Sequence, residues 1–382
     1  MSLPSLFRRG FSTSLTRSYG PKIIPEELVT QALPPASEWR KAFPSGGAAV
    51  KDRVSIRNPA TAMLVANSFV PPGSEGKVII EAYPGPGALT RALMRLPKER
   101  IRKIIVLEDN ERYLEYLKPL EVDPRVQVFS MGGFSWDTYH TLEAEGALSG
   151  VESVPWAQAH PNLHFISHLP MSILGEQLIA QFFRCIPEQI WLFKYGRVPM
   201  SYIMHDWVWE RISAGVGGSN LTRCKLSVMA QAAAHCAESI KGSVLLPYDE
   251  HFHPLAVSPT STTKPDYRRK GTPMVAITAT PLEHQFIEKG MLDKWDYCLR
   301  RLFVLKSTPL KSAISHLAPG AGVLAKQLTD PTLPASQRMD TKKIVRRLSV
   351  EDWAAVVGAF DRWPFAPEDL LISDSFSRDE RL

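Results

Sequence analysis

Four cysteines in 382 residues, Cys185, Cys224, Cys236 and Cys298, are too few for a disulfide scaffold. No two form a C-x-x-C pair and no histidines cluster at zinc-ligand spacing, which excludes a zinc finger and leaves no metal site to expect. Cys185 and Cys298 lie in apolar helical patterns and read as reduced core thiols. No apolar run is long enough to cross a bilayer as a helix, so no membrane partner is expected. Acidic residues are missing altogether before Glu26. That same stretch holds Arg8, Arg9 and Arg17 among Ser2, Ser5, Ser12, Ser14 and Ser18. Rich in Arg and Ser and free of acid is the composition of a mitochondrial transit peptide, here read as residues 1–20.

What is present is ordinary for a globular chain: 44% hydrophobic and 22% charged residues. That is enough for one large domain and a smaller one. The net charge of +6 suits a nucleic-acid partner, although mitochondrial proteins are often basic for other reasons.

The chain is organised around the stretch from Val78 to Thr90. Val78-Ile79-Ile80 reads as a buried strand, and Gly85 and Gly87 permit a sharp turn with close backbone approach. Ala88 to Leu96 reads as a helix with Leu89, Ala92, Leu93 and Leu96 on one face. Strand, glycine turn and helix form the first unit of an open α/β sheet, which binds ligands at its carboxyl edge. Ile104 to Leu107 is a second apolar strand ending in Glu108. A carboxylate there can accept from both hydroxyls of a ribose, or serve as a solvated strand end or local cap; spacing alone weighs the two evenly.

Glu81 to Leu89 and Glu108 resemble the first two motifs of class I S-adenosylmethionine-dependent methyltransferases. The closer resemblance is to the rRNA adenine dimethyltransferase family, whose turn reads E-x-G-P-G-x-G/A, with Tyr83 standing here at the first glycine. The resemblance implies a Rossmann-like α/β sheet with a small helical C-terminal domain. It also implies a cofactor site at Gly85, Gly87 and Glu108, vestigial beside Tyr83. Three other positions depart from the catalytic pattern. Arg57 stands before Asn58 where the family has leucine. Ser130-Met131-Gly132-Gly133 follows the third strand, Val126–Phe129, without the aspartate that holds adenine. His168 and Met171 replace the amide and aromatic of the N-x-P-[YF] motif that polarises and stacks the target base. Tyr83, Gly132 and the His168/Met171 pair together suggest that methyl transfer has been lost, so no residue is assigned as catalytic.

Further along, Leu174 to Ile186 is an amphipathic helix. Gln189 to Arg197 reads as a fifth strand, and Pro199 to Ala214 as a helix. Met274 to Thr278 is a late strand; from Pro281 onward the pattern is helical, with Ala318 to Thr341 a loop region and Ser373 to Leu382 a mobile tail. The boundaries follow: residues 21–56 an extended lead-in, 57–281 the methyltransferase-like domain, 282–382 the helical C-terminal domain.

Several stretches are similar to a narrower family, the fungal mitochondrial transcription initiation factors of the single-subunit mitochondrial RNA polymerase. They are Tyr83-Pro84-Gly85-x-Gly87, Trp191 to Arg197, Lys294 to Tyr297 with Leu305-Lys306-x-Thr308-Pro309-Leu310, and Trp363-Pro364-Phe365-x-Pro367. The resemblance implies a factor of the mitochondrial matrix that joins the polymerase and recognises and melts promoter DNA, double- and single-stranded, with RNA a further possible partner. It implies no required cofactor, with S-adenosylmethionine left open. Lys194, Arg197, Arg223, Lys225, Arg268, Arg269 and Lys270 are the candidate phosphate contacts, and Tyr195 and Tyr267 the candidate stacking rings. The alternative is a mitochondrial small-subunit rRNA adenine N6-dimethyltransferase that uses S-adenosylmethionine.

Overall fold

The computed structural model describes residues 32–217, 221–256, 270–334 and 338–370. At its centre is a seven-stranded sheet in the order β4-β3-β2-β5-β6-β9-β7. Its members are β2 (Lys77–Ala82), β3 (Ile101–Leu107), β4 (Val126–Phe129), β5 (Leu163–His168), β6 (Met200–His205), β7 (Ala234–Ile240) and β9 (Met274–Pro281). β2 to β6 pair in parallel, whereas β9 runs antiparallel to both β6 and β7. A separate two-residue ladder joins β1 (Ser55–Ile56) to β8 (Phe252–His253).

The central strands are buried on both faces, and so their sequences are near-continuous apolar runs rather than alternating ones. One face packs Ile79, Ile104 and Val106 against Val65 and Phe69 of the Pro59–Phe69 helix and Leu89 and Leu93 of the Ala88–Met94 helix. Asn58 caps the first of these helices, accepting from Ala60 N (2.9 Å), with Pro59 at its first position. The other face packs Ile80, Ile105 and Phe165 against Ile179, Phe182 and Phe183 of the Ile173–Glu188 helix.

Beyond Pro281 the described elements are helical. Leu292–Phe303 and Val350–Asp361 bury Trp295, Leu299, Leu302, Trp353, Val357 and Phe360 against Val228, Met229 and Ala232 of the Lys225–Ala233 helix. This last helix therefore belongs to two cores at once, since Leu226 and Ala230 face the sheet.

Four expectations are corrected. Trp191–Tyr195 is a 3-10 turn, not a strand: Gln189 and Trp191 take φ of 53° and 58°, which breaks an extended run. Its apolar residues are buried as a plug, with Trp191 stacked on Phe182 (4.5 Å, 14°). The strand lies further on, at Met200–His205, so the helix expected from Pro199 is confined to Asp206–Ser213. The loop expected over 318–341 contains a helical segment, Val323–Leu328. The lead-in is not merely extended: Trp39–Ala42 forms a helical turn, and Trp39 and Phe43 are buried against each other (5.0 Å, edge to face) and against Tyr116. β7 had no sequence expectation at all. As an edge strand with His235, Ala237 and Glu238 exposed, it carries little apolar signal.

Candidate functional site

At the carboxyl edge of β2 and β3 lies a cleft of about 720 Å³, lined in part by Asp52, Arg53, Tyr83, Asp109, Phe134 and Ser172. Such an edge is where open α/β sheets hold their ligands. Tyr83 follows β2 with φ 56°, Gly85 has φ 62°, and Gly87, with φ 87°, leads into the Ala88–Met94 helix. The turn does approach something closely, but it is this chain's own lead-in. A Cβ at Gly85 would collide with Ser55 Oγ of β1.

The lead-in crosses the cleft as a strap. Asp52 O accepts from Met171 N (2.7 Å), and Ser55 pairs with His253. Between them Arg53 reaches down and donates to both oxygens of Glu108, at 2.6 and 2.5 Å. Asp109 N and Asn110 N also donate to Glu108 Oε1 (3.1 and 3.0 Å). Glu108 is fully buried and Arg53 is 8% exposed. Burial works to discharge both partners. On Arg53 the attraction of Glu108 outweighs it and holds the guanidinium above its ordinary value; on Glu108 burial is the larger influence and raises the carboxyl despite Arg53.

Aromatic rings close the rest of the space. The Tyr83 ring stacks on Phe134 (4.3 Å, 27°) and lies 4.4 Å beneath the Arg53 guanidinium. Burial, and then the negative charge of Asp109, raises the Tyr83 phenol, so it stays neutral. A side chain at Gly132 would meet the Tyr83 hydroxyl at 3.1 Å and Asp109 Oδ2 at 2.9 Å, and one at Gly133 would collide with Ala82. The missing aspartate thus has no room here.

These residues do not fit S-adenosylmethionine as they stand. The carboxylate that would take a ribose diol is occupied by Arg53, and a Tyr83–Phe134–Arg53 stack stands in the cleft beside it. His168, at the end of β5, is also unsuited to the amide role. Both ring nitrogens are buried without a hydrogen-bond partner among the described residues, and burial followed by the charge of Arg53 lowers its pKa to about 3.

The candidate nucleic-acid residues are not brought to one surface. Lys194, Tyr195 and Arg197 precede β6 and lie at the amino edge of the parallel strands. Lys194 pairs with Glu143, which also accepts from Tyr195 Oη (3.1 Å). Arg197 donates to Pro281 O and Ala157 O, both at 3.0 Å. Lys270 lies at the opposite edge, shortly before β9, whose first residue pairs with the last of β6. Burial lowers its pKa, with Asp52 opposing. Tyr267, Arg268 and Arg269 lie outside the described residues.

Arg223 is corrected outright. It is 1% exposed and donates to Ala214 O, Gln231 Oε1 (2.8 Å) and Leu348 O (3.1 Å), tying the Lys225–Ala233 helix to the C-terminal unit. No phosphate can reach it. Lys225 forms an ion pair at 2.7 Å with Asp296, which Arg184 and Arg300 also engage (2.6 Å each). This cluster joins three helices and is structural in the first instance. Sequence reasoning missed Arg53 and Ser55, which sit in a stretch without periodicity. The one available signal was Glu108 itself, since a carboxylate on a fully buried strand end needs a cation.

Comparison with known proteins follows the same division. The family model described as "Ribosomal RNA adenine dimethylase" matches residues 57–356. "Mitochondrial transcription factor 1" of Lachancea kluyveri is 24% identical over 303 residues, 76% of this chain and 82% of that protein. The protein of the same name from Saccharomyces cerevisiae is 25% identical over 308 residues, 77% of this chain and 82% of its own length. "Dimethyladenosine transferase 1, mitochondrial" of Homo sapiens is 29% identical over 185 residues, 46% of this chain and 51% of that protein. With the family match running from the capped helix at Pro59 into the Val350–Asp361 helix, this chain belongs to the ribosomal RNA adenine dimethylase family and has its Rossmann-like methyltransferase fold.

Proposed function

We propose that this protein is a mitochondrial transcription initiation factor. It joins the single-subunit mitochondrial RNA polymerase in the matrix and helps it recognise and open promoter DNA. The observation that carries this reading is the Arg53–Glu108 pair, because it turns the ribose-binding carboxylate of a methyltransferase fold into a structural anchor. The Tyr83–Phe134 stack supports the same conclusion, as does the replacement of the amide and aromatic by His168 and Met171. Relatives called mitochondrial transcription factor 1 match along three quarters of the chain, far more than the dimethyladenosine transferases do. No cofactor is required in this reading. Lys194, Tyr195 and Arg197 at one edge and Lys270 at the other are its proposed DNA contacts, joined by the Tyr267, Arg268 and Arg269 segment.

The second reading, rRNA adenine N6-dimethylation with S-adenosylmethionine, is favoured by the family match alone. Run-off transcription with the cognate polymerase separates the two. The factor reading expects duplex templates to need the protein and pre-melted templates to need it much less. If neither template responds while small-subunit rRNA accepts methyl groups, the enzyme reading replaces it.

A further inference from the structure

The Leu305-Lys306-x-Thr308-Pro309-Leu310 motif has no place in the cleft, yet the fold gives it a partner. Residues 306–311 run antiparallel beside 341–346 in the C-terminal unit. Arg346 N donates to Lys306 O (3.0 Å), Val345 N to Thr308 O (3.0 Å), Leu310 N to Lys343 O (2.9 Å) and Lys311 N to Thr341 O (2.9 Å). This pairing brings Lys306, Lys311, Lys342, Lys343, Arg346 and Arg347 together from two segments some thirty residues apart in the chain. Leu310 and Val345 are buried beneath them and hold both segments to the core.

Little negative charge offsets these cations. Asp352 pairs with Lys343 (2.8 Å) and accepts from Ser349 N (2.9 Å), and Asp340 is bound to its own turn through Lys342 N (3.0 Å). Arg346 is held by Ser307 Oγ (2.9 Å). Lys306, Lys311, Lys342 and Arg347 are exposed, and their side chains have no hydrogen bond or ion pair among the described residues. Six paired residues extend about 20 Å at the rise of a strand. Phosphates on one DNA strand recur about every 3.4 Å along the duplex axis, so the strip is long enough to meet several.

We infer that this paired strip is a second contact surface, which binds the phosphate backbone of duplex DNA without reading its sequence. An acidic protein surface is the less suitable partner. Protein interfaces are depleted in lysine and enriched in aromatic residues, whereas the exposed side chains here are lysines and an arginine with no aromatic among them. Flexible lysines act as point charges on phosphate rather than as readers of base edges. The strip rests on the reading of the chain as a DNA-binding factor, and it adds an anchor on the helical unit, separate from the sheet edges.

The test uses the full chain with Lys306→Ala, Lys311→Ala, Lys342→Ala and Arg347→Ala combined, and duplex DNA of arbitrary sequence titrated by fluorescence anisotropy over a range of salt. The logarithm of the binding constant falls with the logarithm of salt by about 0.9 per phosphate contact, so the variant's slope should be shallower by about 3. All four side chains are exposed, so the melting temperature should not move. A slope equal to wild type overturns the strip. So does unchanged DNA binding with lost run-off transcription, which would assign the strip to an acidic surface of the polymerase. If the unaltered protein neither binds DNA nor supports transcription, the parent reading has failed instead.

Discussion

The hydroxyl of Tyr83 occupies the space that a side chain on Gly132 would enter, 3.1 Å from where its Cβ would lie. The two departures from the catalytic pattern are therefore one physical change. An aspartate after β4 and a tyrosine after β2 exclude each other, and the tyrosine is further held by Phe134 and Arg53. Counting Tyr83, Gly132 and His168 as three independent losses overstates the case from sequence. The geometry states it better, because the cleft has not simply lost its ligand contacts; its own side chains have taken them.

Arg53→Ala removes the only cation bound directly to fully buried Glu108 among the described residues. Breaking a buried pair by deleting one partner costs about 3–5 kcal/mol, because the other charge stays behind. Chemical denaturation should report a loss of that size. The double variant Arg53→Met with Glu108→Leu should lose far less, since no charge is then stranded. A loss as large in the double variant as in the single one would mean that packing, not charge, gives the strap its role.

Calorimetry with S-adenosylmethionine provides the second check. The wild-type chain should give no binding heat up to a millimolar concentration, and Tyr83→Gly alone should give none either, because Arg53 still holds Glu108. Glycine suits the φ of 56° at that position, so this variant is expected to fold. Only Tyr83→Gly combined with Arg53→Ala should show binding. Micromolar affinity in the wild type would show that the strap opens readily, and would return the enzyme reading to consideration.

Arg223 supplies a third prediction. Its hydrogen bonds reach Ala214 O, Gln231 and Leu348 O from a site shut off from solvent. Arg223→Ala leaves buried carbonyls unsatisfied, at about 1–3 kcal/mol for each group. The melting temperature should fall clearly, while the salt slope for DNA of the folded protein stays at the wild-type value. A flattened slope without loss of stability would restore Arg223 as a phosphate contact.

The legible parts of the fold were those with a strong local signal. The strand–turn–helix from Val78 to Met94, the capped helix at Asn58-Pro59 and the strand from Met274 all appear where periodicity and turn residues put them. Trp191 to Tyr195 misled because an apolar run is compatible with a strand or with a buried plug, and only the positive φ values on either side decide. The strap was illegible for a different reason. Arg53 meets Glu108 across 55 residues of chain, and nothing local in Lys51-Asp52-Arg53 announces a partner that far away. Similarly, the clustering of basic residues in sequence did not foretell their separation. Arg197 and Lys270 fall at opposite edges because β6 lies between them, a consequence of topology rather than composition.

Glu81 should set the pH dependence of stability near neutrality. It is fully buried under the glycine turn, accepts from Thr90 Oγ1 (2.7 Å), and its other oxygen has no partner among the described residues. Burial pushes its pKa from the ordinary 4.5 up to about 8, with the Thr90 bond opposing. The folded state therefore holds a proton that the unfolded state has released, and stability falls as pH rises between those two values. His164 and His168 work in the opposite sense. Burial lowers both from 6.5 to about 3, so stability from them rises with pH and is complete above 6.5. In the window from pH 6.5 to 8 the Glu81 effect stands alone among these three groups. One pKa unit corresponds to about 1.4 kcal/mol, so unfolding free energy should drop by about 2 kcal/mol across it. Glu81→Gln keeps the shape and an acceptor for Thr90 but has no proton to lose, so its unfolding free energy should be flat there and exceed wild type at pH 8. If the decline persists in Glu81→Gln, the carboxyl is not the group that titrates, and the buried acid beneath the turn is already ionised at neutral pH.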